Sequence, residues 1–218
     1  MKNILKTIFL AGLVVLAASC EKDETEGIAK GVIRYPSIVL EGEDPFVMQA
    51  GGTFSDPGAK AFLGTDDITG ELTSESTVNT NVAGVYQVSY TVTTINELDQ
   101  ESTVTVNRTV SVTDGDISGV DLSGTYLRDG NPANPIVTVI KIKDGVFQSD
   151  NLRGSPTNQV VGRIYAIGND NIVIPVTNSV FGRLEGEGTL AGADFSYTLT
   201  FLDPPNTGAT NFRNFIKQ

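Results

Sequence analysis

Val85-Tyr86-Gln87-Val88-Ser89-Tyr90-Thr91-Val92-Thr93-Thr94 is the stretch that decides the fold. Tyr86, Val88, Tyr90 and Val92 share one parity, and Gln87, Ser89, Thr91 and Thr93 share the other. A period of two is the mark of a half-buried strand. Ser102 to Val112 repeats the pattern, with Val104, Val106, Val110 and Val112 on the inner parity. The polar run Asn96-Glu97-Leu98-Asp99-Gln100 between them reads as a hairpin loop. Arg108 falls on the inward parity. It predicts either a β-bulge near Asn107 or an arginine that snorkels at the sheet end. Upstream, shorter strands are expected at Ile38–Leu40, Phe46–Gln49, Lys60–Leu63, Glu71–Thr73 and Thr77–Asn79.

About seven short strands over roughly 80 residues read as an immunoglobulin-like (Ig-like) sandwich. Four segments occur in order: Gly51-Gly52-Thr53-Phe54-Ser55-Asp56-Pro57-Gly58-Ala59-Lys60-Ala61, Asp66-Asp67-Ile68-Thr69-Gly70, Gly84-Val85-Tyr86-Gln87-Val88-Ser89-Tyr90 and Arg108-Thr109-Val110-Ser111-Val112. Together they resemble a bacterial Ig-like domain, a module that recurs in bacterial surface proteins. Leu63-Gly64-Thr65 shortens the family's aspartate-rich segment, which weakens the calcium site the resemblance would imply. The domain is placed at residues 31–113.

Thr113-Asp114-Gly115-Asp116-Ile117-Ser118-Gly119 is polar and turn-rich, as at a domain boundary. Residues 120–218 form a second unit. Strands are expected at Leu122–Arg128, Ile136–Lys143, Val146–Ser149, Val160–Ile167, Asn171–Val176, Phe181–Leu190 and Asp194–Leu202. Phe212, Phe215 and Ile216 close the chain in a docked terminal strand. Lys143-Asp144-Gly145 and Gly168-Asn169-Asp170 are tight-turn signals. So many antiparallel strands in this length make a sandwich or a small barrel. Leu122-Ser123-Gly124-Thr125-Tyr126 resembles the first strand of lipocalin-like barrels. The fold class is therefore all-β: an Ig-like sandwich followed by a second antiparallel β-domain.

The N-terminus fixes a location. Met1-Lys2-Asn3-Ile4-Leu5-Lys6, an apolar run to Ala18 and then Ser19-Cys20 have the grammar of a secretory signal, residues 1–19. The run is shorter than the roughly 20 residues of a spanning helix. Ala17-Ala18-Ser19-Cys20 resembles a bacterial lipobox. Cys20 is the single cysteine, which excludes an internal disulfide. The lipobox resemblance implies that it is the lipid-attachment residue, the alternative being a secretory signal with an incidental cysteine. Glu21, Lys22, Asp23 and Glu24 resemble the surface-export signal of Bacteroidota-type lipoproteins, which implies the outer leaflet of the outer membrane. A solvated charged tether would carry the same residues. Residues 20–30 read as a flexible acidic tether in either case.

Composition excludes several functions. Loss of Lys2 and Lys6 with the signal takes the net charge from −11 to −13, a poor match for nucleic acid. There is no His, so Ser-His or Cys-His catalysis has no base. Glu185 and Glu187, beside Arg183, form a candidate carboxylate pair for glycoside hydrolysis. A solvated strand face that blunts aggregation is the simpler reading. Asp114, Asp116 and Ser118 begin like a calcium loop, but Thr125 stands where its last ligand, a Glu, belongs. Asp66 and Asp67, with Asp56, are a second weak calcium candidate. Zinc lacks His and free Cys ligands. No catalytic, metal or cofactor residue is assigned, and the chain is read as non-enzymatic.

Glycan binding would favour exposed aromatic platforms, and Trp is absent. Tyr86, Tyr90 and Tyr197 lie on expected core faces. Tyr126 and Tyr165 would line a barrel cavity or sit in its core with hydroxyls at the rim. The longest loops are Asn131-Pro132-Ala133-Asn134-Pro135, Gly154-Ser155-Pro156-Thr157-Asn158 and Asp203-Pro204-Pro205-Asn206-Thr207-Gly208, where recognition is commonly carried. Lipobox, tether, Ig-like domain and second β-domain together resemble accessory lipoproteins of starch-utilisation-type uptake systems. That resemblance implies a TonB-dependent porin and its lipoprotein lid as partners, with a glycan or peptide ligand of unknown identity. The alternative is a free-standing adhesin or structural surface protein.

Overall fold

The computed structural model describes residues 34–96, 99–131, 133 and 135–218. The signal, Cys20, Glu21 to Glu24 and the tether lie outside the described residues. Strands β1 (Pro36–Leu40), β2 (Phe46–Gln49), β3 (Ala59–Leu63), β4 (Asp66–Asp67), β5 (Thr73–Ser76), β6 (Gly84–Ile95) and β7 (Glu101–Thr113) build the first unit. One sheet has the order β1-β3-β4, the other β2-β7-β6-β5. β2 runs parallel to β7, and the remaining pairs are antiparallel. The alternation of β6 does what the sequence implies: Val88, Tyr90 and Val92 are buried. Val88 and Tyr90 pack with Ala59, Val110, Val112, Ile38 and Phe46 in one core.

Two expectations for this unit are corrected. Glu71–Thr73 and Thr77–Asn79 are replaced by a single 3₁₀ turn at Thr69–Glu71 and one strand, β5. Every residue of β5 is exposed. Its register comes from backbone pairing to β6, so it carries no apolar period to read. Arg108 neither bulges nor snorkels. β6 and β7 pair without a register shift from Gly84↔Val112 to Ile95↔Glu101, and Arg108 is fully buried. Its Nε donates to Asp56 Oδ1 at 3.1 Å, and its Nη2 to Glu41 O at 2.5 Å and Gly58 O at 2.8 Å. Nη1 donates to Glu43 O, and the Tyr90 hydroxyl donates to Asp56 Oδ2. A guanidinium so supplied with acceptors can remain inside.

The second unit comprises β8 (Gly124–Arg128), β9 (Ile136–Lys143), β10 (Val146–Ser149), β11 (Gly162–Gly168), β12 (Asn171–Ser179), β13 (Gly182–Ala191), β14 (Asp194–Phe201) and β15 (Thr210–Lys217). Each strand pairs antiparallel with the next, and β15 returns to β8. The result is a closed eight-stranded up-and-down barrel. An eight-stranded barrel is just wide enough for side chains to fill it, and this one is filled. Tyr126 stands edge-on to Phe195 with ring centroids 4.7 Å apart, and Phe195 stacks on Phe215 at 4.9 Å. Tyr197 completes the cluster.

Neighbouring glycines make room for these rings. A Cβ on Gly188 would stand 1.9 Å from Ser196 O and 2.6 Å from the Tyr197 Cα. Pro175 sits where the β12–β13 register shifts, between Ile174 and Thr177. A bulge tolerates its missing N–H, and β12 continues beyond Val176 to Ser179. In β15 the inward parity belongs to Arg213 and Phe215, whereas Phe212 is 64% and Ile216 40% exposed. Only one of the three apolar residues expected to dock the last strand is therefore buried.

The two units meet in a specific joint. The Asp114 amide donates to Ile167 O at 2.7 Å, and Asn169 Nδ2 donates to Asp114 Oδ2 at 2.6 Å. Lys143 Nζ reaches Glu43 Oε2 at 2.6 Å and Pro45 O at 3.2 Å. Tyr165, on the outward parity of β11, is fully buried yet absent from the barrel core. Thr109 of the Ig-like unit hydrogen-bonds its hydroxyl, and Asp44 and Arg163 lie nearby.

Candidate functional site

In an up-and-down barrel successive connections alternate between the two ends. The tight turns at 144–145, 169–170 and 192–193 share one end, and the first two belong to the joint region. The connections at 129–135, 150–161, 180–181 and 202–209 share the other. All three long loops singled out from the sequence therefore converge on one end of the barrel, although Pro132 and Asn134 lie outside the described residues.

Their positions are held by named contacts. Asp203 accepts from the Arg183 amide at 2.7 Å and from Arg183 Nη2 at 2.8 Å. Those bonds hold the Asp203 carboxyl below its usual range. Asn151 is fully buried, and its Nδ2 donates to Ser155 O at 2.8 Å. The Tyr197 hydroxyl donates to Leu152 O at 2.6 Å, and burial pushes that phenol far up. Loop 150–161 is thus pinned to the barrel interior at its base. Beside it runs a groove of about 460 Å³ lined by Gln159, Val160, Val161, Asn178, Ser179 and Val180.

Three arginines close this end. Arg128 ends β8, Arg213 points inward from β15, and Arg153 lies in loop 150–161. Arg213 Nε donates to Arg153 O at 2.9 Å, and Arg128 Nη1 donates to Gly154 O at 3.2 Å and more weakly to Arg153 O at 3.4 Å. The Arg153 guanidinium lies 4.1 Å over the Phe181 ring. Burial, then the Arg128 and Arg153 charges, push the Arg213 guanidinium down to about 10. Burial and Arg128 likewise lower Arg153. Sequence reading missed this cluster. The three residues are spread over 86 positions of chain, and only barrel closure brings β15 beside β8.

The other candidates are dispersed or engaged. Glu185 and Glu187 stand exposed on the outer face of β13, and the neighbouring Arg183 binds Asp203. Asp56 is held by Arg108 and Tyr90. Asp67 Oδ1 accepts from the Thr69 amide at 2.9 Å, and Asp66 lies 3.8 Å from Arg34. Asp114 belongs to the joint, while Asp116 accepts from the Ser118 amide at 2.8 Å. Among the described residues no three His, Cys, Asp or Glu side chains converge to hold a metal. Tyr126 lies in the barrel core with its hydroxyl on Leu122 O at 2.9 Å. Tyr165, considered for a cavity wall, serves the joint.

Residues 38–112 match the family model for the bacterial surface protein Ig-like domain. The chain thus joins an Ig-like domain that matches this surface-protein model to an eight-stranded antiparallel barrel, and it is all-β. Among solved structures it is similar to a lipoprotein of Bacteroides thetaiotaomicron, at 21% identity over 84% of this chain and 100% of that one, with a TM-score of 0.37. It is also similar to the structure of CBM51-2 in complex with GlcNAc and INT domains from Clostridium perfringens ZmpB. That match has 15% identity over 75% of this chain and 29% of the other, with a TM-score of 0.29. At these scores neither likeness carries a functional argument. No curated protein matches the chain.

Proposed function

We propose that this is a non-enzymatic lipoprotein of the outer-membrane surface, anchored through Cys20, that binds ligand at the loop-bearing end of its barrel. In this reading it is an accessory component of a nutrient-uptake complex, receiving a glycan or peptide for a TonB-dependent porin and its lipoprotein lid. The observation that carries the binding role is the convergence of the long loops and the groove on one barrel end. Loops on a rigid scaffold are where recognition is commonly built. The Ig-like domain would act as the spacer between anchor and barrel. The lipobox-like Ala17-Ala18-Ser19-Cys20 and the residues Glu21 to Glu24 support the anchoring and surface export.

The test is a mild-detergent pull-down of the tagged, membrane-borne protein with mass spectrometry. A stoichiometric porin and lid lipoprotein are expected. Recovery of the protein alone would overturn the uptake role and favour a free-standing adhesin. Substituting Cys20→Ala should release the protein from membranes, and persistent membrane association would overturn the anchor.

A further inference from the structure

The basic residues of this chain are unevenly served by its acids. Arg34 lies near Asp66, Arg108 binds Asp56, Arg183 binds Asp203, and Arg163 lies in the field of Asp44. Lys60, Lys141 and Lys143 each pair with a carboxylate. Arg128, Arg153 and Arg213 do not. The acids beside them in sequence are turned elsewhere: Asp129 accepts from Asn214 Nδ2 at 3.3 Å, and Asp150 from the Thr138 amide at 2.9 Å. In a chain with 26 acidic and 15 basic residues, three guanidiniums gather without an ion-pair partner among the described residues.

The gathering is tight. Arg128 and Arg213 reach the same carbonyl, Arg153 O. Arg213 is 7% exposed, and Arg153 Nε is buried with no acceptor. An unsatisfied buried donor on a charged group is destabilising, and like charges in a poorly hydrated site repel. Loop carbonyls supply hydrogen-bond acceptors but no countercharge. Arg128 and Arg153 are only partly buried, so the cluster is reachable from solvent. The Arg153 Nη1 bond to Asn158 O at 3.3 Å places it at the edge of the groove that begins at Gln159.

We propose that Arg128, Arg153 and Arg213 form an oxyanion-binding site that takes the carboxylate, sulfate or phosphate substituent of the ligand carried by this end of the barrel. The proposal rests on the reading of that end as the binding face. Planar guanidiniums match such oxyanions two hydrogen bonds at a time. Arg153 Nε and the Nη2 atoms of all three residues have no other partner among the described residues, and they supply the donors. The groove would then hold the uncharged remainder of the ligand.

The test is calorimetric titration of the full lipid-anchored chain in detergent, at ionic strength fixed with chloride. The probes are sulfate, phosphate and glucuronate, with glucose as the neutral counterpart of the last. Saturable binding of at least one oxyanion is expected, weakened about tenfold or more by Arg153→Gln or Arg128→Gln and unchanged by Arg34→Gln. Sulfate or phosphate alone would assign a tetrahedral substituent, and glucuronate without glucose a carboxylate. Both partly buried arginines can be changed without touching the buried Arg213, and circular dichroism checks that each variant is folded. Failure of all three oxyanions, or binding unaltered in Arg153→Gln and Arg128→Gln, would overturn the site. A pull-down that still recovers the porin would then leave the uptake reading standing. Oxyanion binding with no porin recovered would do the reverse.

Discussion

Arg108 shows how one side chain can organise a small sandwich. Its guanidinium ties the Asp56-Pro57-Gly58 turn to the segment after β1, and Tyr90 seals the other carboxylate oxygen. Removing one member of a buried ion pair typically costs about 3–5 kcal/mol. Arg108→Met should destabilise the Ig-like unit by roughly the lower end of that range, because Asp56 retains some solvent contact. Urea unfolding followed by tyrosine fluorescence checks this, and a loss below 1 kcal/mol would contradict it. Asp203 gives a pH prediction at the same scale. Its folded pKa is lowered by Arg183, so its contribution is present above the unfolded value near 3.8 and is lost as pH falls through the lower folded value. The Arg183 amide should therefore keep its hydrogen-exchange protection until the pH drops below 3.8, as an NMR titration would read.

Among the elements, β13 and β14 are matched large to small. Glycines of β13 face the aromatic and leucine side chains of β14, through Gly186↔Leu199 and Gly188↔Tyr197. Gly188→Ala would drive a methyl into the Ser196 carbonyl and the Tyr197 backbone. Overpacking of this kind typically costs about 1–3 kcal/mol, and the loss should appear as a lower thermal midpoint. Tyr197 then links the barrel wall to loop 150–161. Tyr197→Phe keeps the ring but leaves Leu152 O without its donor. The expected loss is about 1 kcal/mol, with faster amide exchange confined to that loop. An unchanged exchange rate would show that the loop is held by its other contacts.

At the scale of the whole molecule the joint decides how the barrel is presented. Gly168 adopts φ +97, and a Cβ there would stand 1.7 Å from Asp114 O. Gly168→Ala should therefore displace β7 from β11 and loosen the angle between the units while each remains folded. Small-angle scattering should report a wider spread of shapes, with both sets of tyrosine NMR signals still dispersed. Lys143→Ala removes the exposed ion pair with Glu43 and the bond to Pro45 O, and it should loosen the joint less. Tyr165 belongs to the same argument. Its aromatic face belongs to neither core, and it is covered where the Ig-like unit meets the barrel wall.

Much of this was legible in the chain, for a physical reason. The alternation of Tyr86, Val88, Tyr90 and Val92, and of Phe195, Tyr197, Leu199 and Phe201, follows from the two-residue period of a strand with one buried face. Turns such as Lys143-Asp144-Gly145 follow from local backbone preferences. Each is encoded within a few residues, so sequence alone determined the all-β class, most strands and the loops worth inspecting. Sequence left open whether β8 to β15 made a sandwich or a barrel, because closure depends on β15 finding β8 across the whole unit. It put Arg108 on the inward parity but expected a bulge or snorkelling there, because the acceptors that let it stay buried lie 50 to 67 residues away. It also gave no sign that Arg128, Arg153 and Arg213 would meet. Long-range pairing has no local period to read, and only the closed barrel decided which charges came to share one end.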